Sequence, residues 1–152
     1  MLRSPGLAGI LGCAASATKV MVNADTLFTI TGGPIKILAL QSVCITNNDA
    51  TASTLQYQSN PTVGTAATIS GASASLGAAT AGSTVTLNAT ALSTAPDLVA
   101  PAAGGVSLGA NVANGIIVQA GTIKAVIGTG STTGTWKHYI SYIPLAPGVT
   151  VA

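Results

Sequence analysis

Alternation of apolar and polar residues is the main pattern of this chain, and it predicts β-strands. Residues 83–90 alternate most clearly, with Val85, Leu87 and Ala89 on one parity and threonine or asparagine on the other. Residues 135–143 repeat the pattern with larger side chains. A period of two residues turns one side of each strand towards a core and the other towards solvent.

The same pattern continues from residue 18 to the end of the chain. Clusters of Gly, Pro, Asn and Asp separate the apolar segments at a spacing of roughly ten residues. The predicted strands are residues 19–23, 26–31, 34–47, 53–58, 83–90, 97–100, 116–120, 122–128 and 135–143, with 97–100 as an edge segment. These features predict an all-β fold, an antiparallel β-sandwich or jelly-roll-like domain over residues 18–152.

Three details of this pattern predict connections and burial. Residues 34–47 are apolar on both parities, which favours a strand buried on both faces. The Asn-Asn-Asp sequence at residues 47–49 is typical of a turn, and it predicts a hairpin with residues 53–58. The Gly- and Thr-rich residues 128–134 are predicted as a second hairpin loop, and residues 64–82 as a weak strand and a loop.

Residues 1–17 form a separate apolar segment, which we expect to be an extended N-terminal arm on a neighbouring subunit. Leu7, Ile10 and Leu11 supply its larger apolar side chains. Pro5 and several glycines disfavour a helix in this segment. A positively charged start followed by apolar and small residues also imitates a secretory signal or a lipid anchor, and a simple edge strand is a third alternative.

Charge is scarce in this sequence, with five Lys and Arg, three Asp and no Glu among 152 residues. The net charge of +2 is scattered and makes a poor footprint for nucleic acid. The mean hydropathy is +0.61, yet no apolar run approaches the roughly 18 residues of a membrane span. A free-standing soluble domain needs charge to stay dispersed. We therefore expect other protein subunits to cover much of the surface, and neither nucleic acid nor membrane as a partner.

Residues that could support catalysis or bind a metal are few. The single histidine, His138, lies in the middle of a predicted strand, which favours a packed or interface residue. The three aspartates lie at predicted turns or strand starts, where a carboxylate commonly accepts a backbone N–H bond. Cys13 and Cys44 are expected as small buried thiols. The sequence therefore predicts no catalytic residue, no metal and no cofactor, and a protein that is not an enzyme.

Two stretches of the chain resemble a known family. Residues 25–40 read DTLFTITGGPIKILAL, and residues 124–145 read KAVIGTGSTTGTWKHYISYIPL, in which a Gly- and Thr-rich loop precedes Trp136 and a closing strand. Together they resemble small structural proteins of tailed bacteriophages, found on the head or as other virion surface components. The resemblance implies a β-sandwich or jelly-roll protein that stabilises the head shell as a cement or decoration protein, often as a trimer.

The expected partner is then the major capsid protein of the same virion, and the expected location is the outer capsid surface. The side chains that could anchor such an interface are Leu7, Ile10, Leu11, Phe28, Trp136, Tyr139 and Tyr142. For Trp136 the residue pattern favours a place in the core of the domain over an interface. Another phage head, tail or fibre component, and a secreted or lipid-anchored bacterial β domain, stay open as alternatives.

Overall fold

The computed structural model describes residues 11–88, 97–99 and 115–152, and the fold in these ranges is all-β. The strands are β1 (Gly12–Ala15), β2 (Lys19–Val20), β3 (Asp25–Thr31), β4 (Ile35–Cys44), β5 (Thr54–Pro61), β6 (Ala67–Thr68), β7 (Thr84–Asn88), β8 (Asp97–Val99), β9 (Ile116–Val118), β10 (Gly121–Gly128), β11 (Thr135–Pro144) and β12 (Thr150–Val151). These ranges contain no helix that could cross a membrane.

The strands form two antiparallel sheets that pack against each other. The first sheet has the order β1-β11-β4-β7-β8, with β2 also beside β11 and β9 also beside β4. The second sheet has the order β12-β3-β10-β5-β6. This arrangement confirms the predicted β-sandwich class. The edge position predicted for residues 97–100 is also confirmed within β8.

The core lies between the two sheets, and the longer strands contribute most of its side chains. In β7 the side chains of Val85 and Leu87 are buried, and in β10 those of Ile123, Ala125 and Ile127 are buried. These are the inward positions that the alternation predicts. Because a fully buried aliphatic side chain contributes about 1.5–3 kcal/mol, this pattern supplies much of the driving force for folding.

The two predicted hairpins are wrong, because the chain changes sheet at both connections. β4 belongs to the first sheet and β5 to the second, so the turn at residues 47–49 joins the two layers. β10 and β11 likewise belong to opposite sheets, so residues 128–134 also cross between them. β4 pairs instead with β11, and β5 with β10. Connections between layers are common in sandwiches, where neighbours in sequence need not be neighbours in a sheet.

The long strand β4 is buried on one face, not on both as predicted. Ile37 faces the core before an irregularity in the strand, and Leu40 and Cys44 face it afterwards. The register with β11 shifts between Ser141 and Tyr142, as in a β-bulge. One extra residue reverses which parity faces the core. The two apolar parities in the sequence therefore belong to successive halves of one buried face.

The described part of the predicted arm is an edge strand of the chain's own sheet. β1 pairs antiparallel with β11, with Gly12 opposite Tyr142. A Cβ at Gly12 would overlap the Tyr142 ring, so glycine is the residue that lets β1 lie over this tyrosine. Leu7 and Ile10, the other interface candidates in the predicted arm, lie outside the described residues.

Residues 64–82 form loops and the short strand β6, as predicted. Two serines of this segment take the place of a neighbouring strand along β5. The backbone N–H of Leu55 donates to the hydroxyl of Ser73, and that of Tyr57 donates to the hydroxyl of Ser70, both at 2.9 Å. Side-chain oxygens thus satisfy buried backbone donors that regular pairing leaves free.

Candidate functional site

The structure separates the interface candidates by burial. Phe28 and Trp136 are fully buried, and Tyr142 is buried beneath β1. Their assignment as interface anchors is corrected, because the core already covers their side chains; the alternative of Trp136 as a core residue fits. Leu11 is 61% exposed and Tyr139 is 37% exposed, so these two side chains are accessible to a partner.

Asn48 connects the buried tryptophan to three loops. Its Oδ1 accepts hydrogen bonds from Trp136 Nε1 at 3.2 Å and from the Gly134 N–H at 2.9 Å. Its Nδ2 donates to the carbonyl oxygen of Leu76 at 2.9 Å. Asn48 is itself buried. Its sequence signal indicated only a turn, whereas in the folded chain it satisfies polar groups from distant segments.

The aspartates have ordinary structural partners where their side chains are described. Asp49 Oδ1 accepts the N–H of Thr51 at 2.8 Å, as predicted, and this bond lowers the pKa of the exposed carboxyl. Asp25 lies 3.2 Å from Lys19 Nζ in a partly exposed ion pair. No cluster of three or more metal-ligating side chains occurs among the described residues.

The two cysteines differ in accessibility, and both are free thiols. Cys44 is buried as predicted, its Sγ donates to the Thr46 carbonyl oxygen at 3.1 Å, and burial raises the pKa of the thiol. Cys13 is exposed on β1, contrary to the prediction of burial. The reason is that β1 is an edge strand whose Cys13 side points to solvent.

A chain of three polar side chains crosses the core between the sheets. Ser42 Oγ lies 2.6 Å from His138 Nδ1 and 2.7 Å from the Tyr57 hydroxyl oxygen. All three residues are fully buried. Ser42 was not predicted as a site residue, although a serine at an inward position of an apolar strand needs a hydrogen-bond partner. His138 is the packed histidine that the sequence indicates.

One direction of hydrogen bonding satisfies most of this network. If Tyr57 donates to Ser42, and Ser42 donates to His138 Nδ1, only the Nε2–H of His138 lacks a partner among the described residues. The opposite direction also leaves the Tyr57 hydroxyl hydrogen without one. Burial, assisted by repulsion from Lys19 and opposed by Asp25, lowers the pKa of His138 to about 4. The neutral imidazole accepts from Ser42, but neither group is open to a substrate from solvent.

An apolar groove of about 580 Å³ opens at one end of the sandwich. Strands β5, β6 and β9 border it, so both sheets contribute walls. Its lining residues are Ser59, Pro61, Thr65, Ala67, Ile69, Gly115, Ile116, Ile117, Val118 and Gln119. None of these side chains is charged. The groove therefore favours apolar contacts rather than the binding of an ion.

Three exposed apolar side chains surround this same end, which we call the groove end. Val63 is 87% exposed, Ile117 is 62% exposed, and Leu145 is also exposed. Val63 follows the end of β5, and Ile117 lies within β9. Leu145 follows the end of β11, where its N–H donates to the Pro34 carbonyl oxygen. Only folding brings them together, because in sequence they are far apart. The result is a surface suited to contact with another protein.

Comparison with known proteins identifies no relative. No family, curated protein or solved structure matches this chain.

Proposed function

We propose that this protein is a structural protein of a tailed-bacteriophage virion that binds the outer capsid surface and stabilises the head shell as a cement or decoration protein. The observation that carries the proposal is an exterior with very few charges, on which exposed apolar side chains adjoin an apolar groove. The proposed partner is the major capsid protein, and the chain acts as a homo-oligomer; a trimer follows from the family resemblance alone.

The charge distribution supports a covered surface. The charged side chains that the structure describes are Lys19, Lys36, Lys124, Lys137, Asp25 and Asp49. Lys19 and Asp25 pair with each other, which leaves even less free charge. Permanent interfaces are depleted in charge and rich in apolar area, whereas exposed surfaces of small domains carry many Lys and Glu residues. A shell protein that covers the groove end would remove its apolar side chains from water.

Repetition explains how a small contact can stabilise a shell. Each docked copy loses translational and rotational freedom, so only the surplus of contact energy appears as affinity. A copy that spans two shell subunits must separate from both when the shell opens. Many symmetric copies add their contributions over the particle.

Electron cryo-microscopy of purified particles tests the proposal directly. We expect density for this sandwich outside the shell lattice, with the groove end against the shell. Absence of the protein from purified virions would end the proposal. Density confined to the tail or fibres would retain a virion role but remove the capsid role. Intact-mass measurement of the cellular protein tests the export alternative, because a signal or lipid anchor would be cleaved near Cys13 or Ala17.

A binding assay with shells that lack the protein tests which end docks. The Val63→Asp and Ile117→Asp variants place charge at the groove end, and we expect each to reduce shell binding at least tenfold. The matched control is Val22→Asp. Val22 is also an exposed apolar residue, and it lies near the opposite end of β11. Equal binding by all three variants would contradict docking through the groove end.

A further inference from the structure

The first sheet ends in a strand whose outer backbone groups are free among the described residues. Ser16 donates its N–H to the carbonyl oxygen of His138 at 2.9 Å, which continues the β1–β11 ladder. Alternate residues of an antiparallel strand face the same neighbour. Gly12 and Ala14 therefore direct their backbone groups to β11, whereas Cys13 and Ala15 direct theirs away from the sheet.

This edge lacks the usual protection against pairing. The sequence from Leu11 to Ala17 is LGCAASA, which contains no charge and no proline. Natural edge strands usually carry a lysine, a proline or a bulge that blocks another strand. The edge is also held in place, because Gly12 lies directly on the Tyr142 ring. A fixed strand requires little further ordering when a second strand adds to it.

The core is incompletely covered on this side of the sandwich. β1 ends the first sheet and β12 ends the second, and the two strands lie near each other. Ala14, Val149 and Val151 pack on the core here but remain partly exposed. Leu11, next to β1, is largely exposed. A partner at this edge would bury apolar surface in addition to satisfying backbone groups.

We infer that β1 pairs antiparallel with β1 of a second copy of this chain, with Cys13 opposite Cys13 across a twofold axis. In this register Leu11 of each copy lies opposite Ala15 of the other copy. The contact forms about six backbone hydrogen bonds and covers the exposed leucines. Identical edges are complementary under a twofold axis. No side-chain charge between Leu11 and Ala17 repels the second copy or selects a different partner.

This contact goes beyond the proposed function and does not depend on it. A twofold edge contact produces a dimer in solution, whereas the family resemblance implies a trimer. Strands β11 and β4 separate β1 from the groove-lining strand β9, although Gly12 lies opposite Tyr142, near Leu145 of the groove end. Shell docking is therefore tested through Val63 and Ile117, and self-pairing is tested through Cys13. If shell docking fails, dimerisation can still be measured, and if dimerisation fails, shell docking can still be measured.

Sedimentation of the full chain over a range of concentrations tests the dimer. We expect the wild type and Cys13→Ser to dimerise with similar dissociation constants. Cys13→Lys places two like charges opposite each other on an exposed position, so we expect at least tenfold weaker dimerisation without loss of the fold, checked by circular dichroism. A wild type that stays monomeric at the highest concentration overturns the inference. Dimerisation of Cys13→Lys equal to that of the wild type overturns it too.

Thiol crosslinking tests the register. A short bismaleimide should join the two Cys13 side chains, because paired Cα atoms across a hydrogen-bonded position lie about 5.5 Å apart. Cys44 is buried and should not react in the folded chain. The collision control is Cys13→Ser combined with Val63→Cys, which places an exposed thiol at the groove end. We expect the wild type to crosslink several-fold faster; equal rates overturn the proposed register.

Discussion

Acidification is expected to destabilise this protein through His138. Burial and the nearby Lys19 lower the pKa of the folded imidazole to about 4, against an ordinary value of 6.5. A second proton would enter at Nδ1, which accepts the Ser42 hydroxyl in the neutral state. Ser42 would then have to donate to Tyr57, and the Tyr57 hydroxyl hydrogen would lose its partner. Protonation therefore adds a buried charge and also reverses the network.

The sign and size of the effect follow from linkage. Above pH 6.5 the imidazole is neutral in both the folded and unfolded states, so the full stability is present. Between pH 6.5 and about 4 the unfolded state binds the proton more readily than the folded state does. The free energy of unfolding therefore falls as the pH is lowered. At 1.36 kcal/mol for each pH unit, the total loss is about 3 kcal/mol. Against a total of about 5–15 kcal/mol for an ordinary domain, this is a large fraction.

Urea unfolding at a series of pH values from 7.5 to 4 provides the measurement. We expect the wild type to lose about 3 kcal/mol across this range and His138→Gln to lose less than about 1 kcal/mol. Glutamine does not titrate, and its carbonyl oxygen can still accept the Ser42 hydroxyl. Asp49 contributes little in this window, because its pKa is lowered below the ordinary 3.8. Equal slopes for the two proteins would refute the reasoning.

Nuclear magnetic resonance gives an independent reading, since the chain contains one histidine. The imidazole signals of the folded protein should not titrate between pH 7 and 5. A midpoint near 6.5 would show that the ring is hydrated in solution, and it would contradict the buried network.

Three further predictions concern the loops and the edge strand. Asn48→Ala should lower the free energy of unfolding by about 2–4 kcal/mol, because three buried hydrogen bonds lose a partner; denaturant unfolding measures the change, and a loss below about 0.5 kcal/mol would contradict it. Gly12→Ala should cost about 1–3 kcal/mol through overlap with Tyr142, and the double variant with Tyr142→Ala should lose less than the sum of the single changes. Cys13 should react with a maleimide in the folded protein while Cys44 reacts only after unfolding; equal rates by mass spectrometry would show that β1 or the core is placed differently.

The limits of sequence reasoning are clearest at β4 and at the loops. The apolar residues of β4 were identified, but a bulge decides that Ile37 and Leu40 share one face. The turn at residues 47–49 was also identified, but the pairing of β4 was predicted wrongly. Local turn chemistry does not determine which sheet the chain enters after the turn. Asn48 was recognised only as a turn residue for the same reason: its partners are remote in sequence.

The sequence by itself determined the longer strands, the inward side chains of β7 and β10, and the low charge of the surface. These properties depend on local alternation and composition, which act on each segment without knowledge of the rest. The tertiary structure decided how the strands pair, why Phe28 and Trp136 are closed to a partner, and how Ser42 and Tyr57 meet His138. It also gathered the groove end and exposed β1 as an edge. These features arise from contacts between distant segments, which become defined only when the two sheets pack together.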